Sequence, residues 1–227
     1  MAAKKGIFIT LEGGDGTGKS TQIKLLAEAL KTAGTDVITT REPGGTDQAE
    51  RIRNLLLQRD SGHFDPLTEA MLMFSARREH LVNKIWPALE QGQWVISDRF
   101  ADSTRAFQGY GMGLDQRAIE ALYKIVAGDF QPDLTFIFDI DPEVGLSRSM
   151  KHMSVTKNAT ESTEDRYERM GLAFHNRLRE GFLSIARDNP KRCVVINAAQ
   201  DITAVHKQVV GVIANRYGLA VREAKYG

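Results

Sequence analysis

The sequence is poor in cysteine and nearly balanced in charge, and both features narrow its possible functions. Cys193 is the only cysteine in 227 residues, so an internal disulfide is excluded and we expect a buried thiol in a cytoplasmic protein. The formal net charge is +1, which provides no global field for nucleic acid or anionic lipid. No apolar run approaches transmembrane length, and we see no signal-peptide pattern. We therefore expect no nucleic-acid partner and no membrane partner, and any anion must be recognised locally.

Short apolar runs alternate with helical patterns along the chain. The predicted strands cover 6–11, 36–40, 94–97, 134–140 and 193–197. The predicted helices cover 19–33, 47–58, 66–84 with a resumption to 90, 115–127, a helix from 142, 163–187 and 202–217. This alternation predicts an α/β fold in three layers, with a five-stranded parallel sheet flanked by helices, as one domain over 1–227. The polar segment 151–163 has poor periodicity and is predicted to be a linker or a mobile lid.

The stretch EGGDGTGKST, residues 12–21, lies between a predicted strand and a predicted helix. It contains a full match to the phosphate-loop pattern G-x-x-x-x-G-K-[ST], from Gly13 to Ser20. Its glycines allow backbone N–H groups to converge on phosphate oxygens, and the helix adds its positive N-terminal end. Lys19 would neutralise the β- and γ-phosphates, and Ser20 would bind Mg²⁺. The predicted ATP-binding residues of the loop are Gly13, Gly14, Asp15, Gly16, Thr17, Gly18, Lys19, Ser20 and Thr21.

A phosphate loop leaves three functional classes open: a GTPase switch, an ATPase motor or binding module, and a kinase for a small acceptor. A GTPase should carry an Asn-Lys-x-Asp base-reading motif after a strand, and the sequence shows none there. A motor needs a partner surface, and no such surface is evident. The residues on the acceptor side must therefore decide among these three classes.

Charged residues end two of the predicted strands, where the carboxyl edge of an open α/β sheet forms its ligand crevice. Asp98 can hold Mg²⁺, directly or through water, and Arg99 and Arg41 can clamp an acceptor phosphate because guanidinium groups bind phosphate bidentately. Phe74 and Arg78 lie four residues apart on a predicted helix, hence on one face. They could stack and read a base, although spacing alone favours a core phenylalanine and a solvated arginine.

Six motifs occur in the order seen in bacterial thymidylate kinases, a family of P-loop nucleoside monophosphate kinases: LEGGDGTGKST, REPGGT, MLMFSARR, ISDRFADSTRAFQG, GDFQPDLTFIFDIDPEVGLSR and EDRYE. The chain resembles that family over nearly its whole length. The resemblance implies ATP-dependent, Mg²⁺-assisted phosphorylation of dTMP to dTDP, with Phe74 stacked on thymine and Arg78 at its O4. The dTMP-binding residues that it implies are Asp15, Arg41, Arg53, Phe74, Arg78, Arg99, Thr104, Phe107 and Gln108.

The resemblance also implies how the transferred phosphoryl group is stabilised. Since the loop carries Gly16-Thr17 and no arginine, a lid over about 148–167 should supply it through Arg148 or Arg166. With these, Lys19, Asp98 and Arg99 complete the predicted catalytic set. Ala199 and Gln200 match an adenine-contacting loop, and a homodimer is expected.

Asp15 is a carboxylate within an anion-binding loop. Because a carboxylate that faced the donor phosphates would repel them, we expect Asp15 to turn toward the acceptor. The resemblance places such an acid beside the 3′-hydroxyl of dTMP, whereas a turn-forming aspartate is the structural alternative. A kinase for another monophosphate or a deoxynucleoside, and a nucleotide-dependent switch, are the remaining functional alternatives.

Overall fold

The computed structural model describes residues 6–57, 64–156 and 167–219, with side chains for all of these except 152–156. Its centre is a five-stranded, all-parallel sheet in the order β2-β3-β1-β4-β5. The strands are β1 Phe8–Gly13, β2 Val37–Arg41, β3 Trp94–Asp98, β4 Leu134–Asp139 and β5 Cys193–Asn197. The predicted α/β class and five-stranded parallel sheet are confirmed.

Helices cover both faces of this sheet. They are α1 Lys19–Thr32, α2 Asp47–Leu57, α3 Pro66–His80, α4 Trp86–Glu90, α5 Ala101–Thr104, α6 Gln116–Ala127, α7 Pro142–Thr156, α8 Leu172–Asp188 and α9 Ile202–Tyr217. The central strands β1, β3 and β4 are buried on both sides because each face of the sheet packs against helices. One core joins the sheet to α1 and α9, a second joins it to α3 and α6, and a third joins it to α8.

The strand register brings three functional segments to one edge of the sheet. Leu11 of β1 pairs with Asp98 of β3, and Asp98 in turn pairs with Arg41 of β2. The phosphate loop leaves β1 two residues after Leu11, so it emerges beside the ends of β2 and β3. This register, rather than proximity in sequence, creates the crevice.

Several helix boundaries differ from the sequence predictions. The α3 helix continues through a π-helical segment, Leu81–Ile85, into α4, so Trp86-Pro87 does not interrupt it; proline is tolerated in the first turn of α4. A second π-helical segment, Arg105–Gly111, follows α5, and neither was predicted. The α7 helix reaches Thr156, inside the predicted linker, and α8 begins at Leu172 rather than 163. Among the described residues, no helix combines the length and apolar character needed to cross a membrane.

Candidate active site

A cavity of about 600 Å³ opens at the carboxyl ends of β1, β2 and β3. The phosphate loop and the start of α1 line its donor end, and segments around α3, α5 and the second π-helical segment line its acceptor end. Among the described residues, its charged lining contains six cationic side chains and four acidic ones: Lys19, Arg41, Arg53, Arg77, Arg99 and Arg148, against Asp15, Glu42, Asp98 and Glu168. The balance of +2 among these side chains is suited to anionic ligands although the whole chain carries only +1.

The phosphate loop has the backbone geometry that its glycines predict. Gly13, Gly16 and Gly18 have φ angles of 135°, 71° and 88°, in the region that side chains other than glycine rarely adopt. Gly16 also lies against α7, where a Cβ would stand 1.9 Å from the carbonyl oxygen of Gly145. Helix α1 begins directly after Gly18, so its N-terminal end faces the donor end of the cavity.

Lys19 is almost fully buried in this loop. Its Nζ donates to the carbonyl oxygens of Gly14 at 2.7 Å and Gly13 at 3.1 Å. Burial lowers the pKa of the ammonium to about 8, the nearby Arg99 guanidinium acts in the same direction, and acidic neighbours oppose both. An approaching anion would favour the charged form, so nucleotide binding and Lys19 protonation are coupled.

Ser20 and Asp98 meet where α1 begins and β3 ends. The Ser20 hydroxyl donates to Asp98 Oδ2 at 3.1 Å. A hydroxyl and a carboxylate are hard oxygen ligands of the kind that Mg²⁺ prefers. The described residues contain no group of three or more His, Cys, Asp or Glu side chains that could hold a metal by themselves. This pair therefore fits an ion that completes its coordination with substrate phosphates and water.

Arg99 occupies the centre of the cavity in a strained backbone conformation. Its φ of 68° makes it the only described residue other than glycine with positive φ. Its guanidinium donates to Asp15 Oδ1 at 2.7 Å and to the Gly13 carbonyl at 2.8 Å, and it lies 4.9 Å from the centre of the Phe107 ring. Asp15 thus pairs with the cation on the acceptor side, and strain of this kind is typical of functional positions.

The carboxyl group of Glu12 holds the turn that carries Arg99 through hydrogen bonds to Phe100 and Ser103. The carboxyl group is fully buried at the end of β1 and accepts hydrogen bonds from the Phe100 N–H at 2.7 Å and the Ser103 hydroxyl at 2.6 Å. Burial raises its pKa to about 8, with the negative charge of Asp102 adding to the effect. Since Ser103 also accepts from Arg99 at 3.1 Å, Glu12 connects the donor strand to the turn that carries Arg99.

Two further arginines line the cavity next to β2. Arg41 is largely exposed, and its NH2 group lies 3.1 Å from Glu50 Oε2. Arg53 NH1 donates to the Pro43 carbonyl at 2.7 Å, which holds its side chain across the acceptor end. Arg41, a predicted phosphate ligand, and Arg53, a predicted dTMP-binding residue, therefore line the same cavity as Arg99.

At the acceptor end, Arg77 is the most enclosed cation. Its side chain is 3% exposed and lines the cavity. The guanidinium lies 4.6 Å above the centre of the Phe74 ring and donates from Nε to Glu42 and from NH2 to Thr104. Its NH1 atom has no hydrogen-bond partner among the described residues. A guanidinium carries donors only, so a carbonyl group of a ligand in the cavity is a suitable partner for Arg77.

Gln108 and Phe107 form the neighbouring wall. The Gln108 amide nitrogen donates to Glu69 Oε1 at 2.7 Å and to the Tyr167 hydroxyl at 3.1 Å, and Tyr167 also bonds to Glu69. The Tyr167 ring meets Phe107 edge to face at 4.8 Å between centroids. Thr104, Phe107 and Gln108 all line the cavity, so the structure brings these three predicted site residues together.

Comparison with known proteins identifies the family to which the chain belongs. The family model for thymidylate kinase matches residues 11–209. The chain is 48% identical to the thymidylate kinase of Caulobacter vibrioides over 215 residues, which are 95% of this chain and 99% of the relative. The chain belongs to the thymidylate kinase family.

Other thymidylate kinases agree with this assignment. The protein of that name from Pseudomonas fluorescens strain Pf-5 is 46% identical over 204 residues, covering 90% of this chain and 93% of the relative. The crystal structure of thymidylate kinase from Ehrlichia chaffeensis superposes with a TM-score of 0.73 at 39% identity, covering 92% of this chain and 99% of that one. The chain is therefore a nucleoside monophosphate kinase with a P-loop fold.

Two dTMP-binding residues expected from the resemblance to thymidylate kinases do not line the cavity. Phe74 is 1% exposed and packs in the core formed with α6. Arg78 points outward, where it donates to the Val126 carbonyl at 2.9 Å and lies over Trp86. The residues that line the cavity are one position earlier on the same helix, Met73 and Arg77. The predicted spacing of four residues holds, but its register is shifted by one.

The structure describes only part of the predicted donor side, which comprises Arg148, Arg166 and the adenine loop. Arg148 lines the cavity, but its NH1 atom donates to the Ala198 carbonyl at 2.9 Å, beside the predicted adenine loop. Ala199 and Gln200 stand outside the main cavity lining. Arg166 and half of the predicted lid, residues 157–166, lie outside the described residues.

Sequence reasoning missed five further residues that line this site or support it: Glu42, Met73, Arg77, Ser103 and Tyr167. Two of these could have been found, because Met73 and Arg77 are also four apart on α3. The roles of Glu42, Ser103 and Tyr167 depend on contacts across long stretches of sequence, which spacing does not reveal.

Proposed function

We propose that this chain phosphorylates dTMP to dTDP with ATP through the residues of this cavity. The observation that carries the proposal is the continuity of the cavity: Lys19 lies at one end, Arg99 in the middle and Arg77 at the other. A donor phosphate, an acceptor phosphate and a base can then bind in this order, with the two phosphates aligned for transfer. Such positioning is what phosphoryl transfer chiefly requires.

At the donor end, the loop amides and the N-terminal end of α1 hold the β- and γ-phosphates. Lys19 exchanges its bonds to the loop carbonyls for bonds to phosphate oxygens, which stabilise its charged form. Ser20 and Asp98 would hold Mg²⁺, which when bound neutralises charge on the donor phosphates. Arg148 contacts the adenine-loop carbonyls, and this favours a role in donor positioning.

In the middle, Arg99 and Arg41 hold the acceptor phosphate. Asp15 fixes Arg99 through the 2.7 Å ion pair, so the direction of the guanidinium is set before substrate arrives. A second contact from Asp15 to the 3′-hydroxyl stays a prediction. No strong general base is required, since the attacking phosphate oxygen is already anionic near neutral pH.

At the far end, Arg77 replaces Arg78 as the proposed base-reading arginine. Its guanidinium can donate to a pyrimidine keto oxygen at position 4, and half-buried Met73 lines the same cavity. Arginine carries hydrogen-bond donors only. It therefore favours a keto oxygen, which is an acceptor, and disfavours an amino group, which is a donor. This gives a physical reason for selecting thymine over cytosine.

A coupled assay of ADP release tests the proposal with a panel of nucleoside monophosphates. We expect dTMP to give the highest kcat/KM and dCMP to be poor. Stimulation by an uncharged deoxynucleoside instead would favour a nucleoside kinase, and ADP release that no acceptor stimulates would favour a nucleotide-dependent switch.

Arg166 remains the proposed source of transition-state charge, because the loop itself carries none at Gly16-Thr17. We expect Arg166→Ala to lower kcat while the KM for dTMP stays nearly constant. An increase in that KM alone would make Arg166 a binding residue.

We also propose that the protein forms a homodimer. Exposed apolar side chains occur on two helices that pack together, α3 and α6: Met71 is 44% exposed and Ile125 is 79% exposed. Ala70 and Phe74, expected as possible interface residues, are buried within the subunit. We expect a Met71→Asp/Ile125→Asp variant to sediment as a monomer when the native protein sediments as a dimer. A native monomer would refute the proposal.

A further inference from the structure

A series of buried polar groups leads from the edge of the sheet to Arg77. Thr40 Oγ1 lies 2.7 Å from His80 Nε2, and His80 Nδ1 lies 3.0 Å from Glu42 Oε1. The other oxygen of Glu42, Oε2, accepts from Arg77 Nε at 2.8 Å. The His80 side chain is fully buried, and those of Glu42 and Arg77 are 3% exposed. Each group is thus held by its neighbours rather than by water.

The carboxylate of Glu42 fixes the direction of its hydrogen bond with His80. A carboxylate oxygen only accepts, so His80 Nδ1 must carry a proton and donate the hydrogen bond to Glu42. In the neutral imidazole with this tautomer, Nε2 accepts from the Thr40 hydroxyl; in the imidazolium, Nε2 donates to Thr40 Oγ1. The bond from His80 to Glu42 has the same direction in both forms.

The loop after β2 is shaped around this imidazole. Gly45 has a φ of 90°, and a Cβ there would lie 2.5 Å from His80 Nε2 and 2.7 Å from Thr40 Oγ1. A glycine at this position allows the backbone to approach the His80–Thr40 bond closely. The loop thus closes over the bond without displacing it.

His80 controls how Glu42 engages Arg77. Because His80 holds Oε1, the carboxylate binds the guanidinium through Oε2 alone. Carboxylates otherwise tend to bind arginine through two parallel hydrogen bonds. Without His80, Glu42 could rotate, take a second guanidinium nitrogen and turn Arg77 away from its present orientation, in which Thr104 holds NH2 and NH1 has no partner among the described residues.

We propose that His80 and Glu42 are positioning residues that set base selectivity by orienting the Arg77 guanidinium toward the keto oxygen of the pyrimidine. This inference rests on the proposed function, because it assigns to the same site the groups that hold its base-reading arginine. His80 and Glu42 act through Arg77 and need not touch the substrate.

The test compares two substitutions of His80. His80→Leu removes the donor to Glu42, whereas His80→Asn can place an amide N–H near the position of Nδ1. For His80→Leu we expect the KM for dTMP to rise about five- to tenfold and the preference for dTMP over dCMP to fall by a similar factor. The KM for ATP should stay within about twofold, and His80→Asn should recover most of the loss.

A double-mutant cycle with Arg77→Lys shows whether His80 acts through Arg77. We expect the His80→Leu effect on the KM for dTMP to disappear in the Arg77→Lys background. The inference would be overturned if the effects of His80→Leu and Arg77→Lys on the KM for dTMP multiplied independently. It would also be overturned if the KM for ATP rose together with the KM for dTMP. Thr40→Val, which removes only the last hydrogen bond, should produce a smaller change of the same kind if His80→Leu fails to fold. No change in dTMP affinity or in the preference for dTMP over dCMP for folded Thr40→Val would also count against it.

Calorimetric titration of the native protein with dTMP separates this inference from the proposed function. If the native protein neither binds nor phosphorylates dTMP, the proposed function fails. If it does both and the cycle shows no coupling, only the role of His80 and Glu42 fails.

Discussion

The donor end and the acceptor end of the cavity are constructed differently. At the donor end, one continuous segment, 13–21, provides the contacts, many of them from backbone N–H groups whose positions follow from glycine conformation and the start of α1. At the acceptor end, side chains converge from β2, α3, α5 and the π-helical segment at 105–111. Backbone geometry encoded in one motif can be read from a sequence, whereas convergent side chains depend on the register of every contributing element.

The largest effect should come from the donor end. Lys19→Ala removes the one loop ammonium that can neutralise the transferring phosphates, so we expect kcat to fall by roughly 10²- to 10³-fold. The coupled ADP-release assay measures this, and circular dichroism checks that the fold is retained. A folded variant with near-normal turnover would contradict the assignment of Lys19.

The second effect separates two neighbouring arginines at the acceptor end. Arg77→Lys keeps a cation beside buried Glu42 but loses the planar set of donors, so we expect kcat/KM for dTMP to fall by about 10- to 100-fold. Arg78→Lys is the matched control, and we expect a change within about twofold, because Arg78 faces the surface. The opposite ranking would restore the register predicted from sequence.

These two predictions also separate the features that the sequence can predict from those that it cannot. The parallel sheet and the phosphate loop follow from local patterns that the structure reproduces. On α3 the pattern was ambiguous, because the helix buries residues on more than one side, including Ala70, Phe74, Arg77 and His80. A spacing of four residues fits both the pair Phe74 and Arg78 and the pair Met73 and Arg77. Only the packing of α3 against α6 decides which pair faces the cavity.

A pH dependence should appear at the donor end. With a pKa of about 8 in the free protein, Lys19 loses its charge as pH rises above that value. We therefore expect kcat/KM for ATP to decline above pH 8, approaching tenfold per pH unit. Lys19→Arg should lower activity overall but abolish this decline, since a guanidinium stays charged. A flat native profile up to pH 9.5 would contradict the lowered pKa.

The smallest effect concerns Glu12, which joins the two ends. Its pKa is raised from 4.5 to about 8, so between these values the folded protein holds a proton that the unfolded chain releases. The free energy of unfolding should therefore fall as pH rises, by on the order of 1 kcal/mol per pH unit from this group. Glu12→Gln cannot ionise and should gain stability relative to the native protein between pH 5 and pH 8.

Urea unfolding at pH 5, 6.5 and 8 measures this difference. Glu28→Gln, on the exposed side of α1, is the matched control and should show no such trend. A stability difference between Glu12→Gln and the native protein that is constant with pH would mean that Glu12 is ionised in the fold.

The charged lining of the cavity also affects how fast nucleotides arrive. The described residues of its lining include six cations and four anions, an excess of two positive charges inside a recess, whereas the whole chain carries a formal net charge of only +1. Field lines concentrate in such a recess and draw anions toward it. Association of ATP and dTMP should consequently slow as ionic strength increases, while the dissociation rates change much less. The same side chains that hold the phosphates would thus also set the capture rate of the enzyme at low substrate concentration.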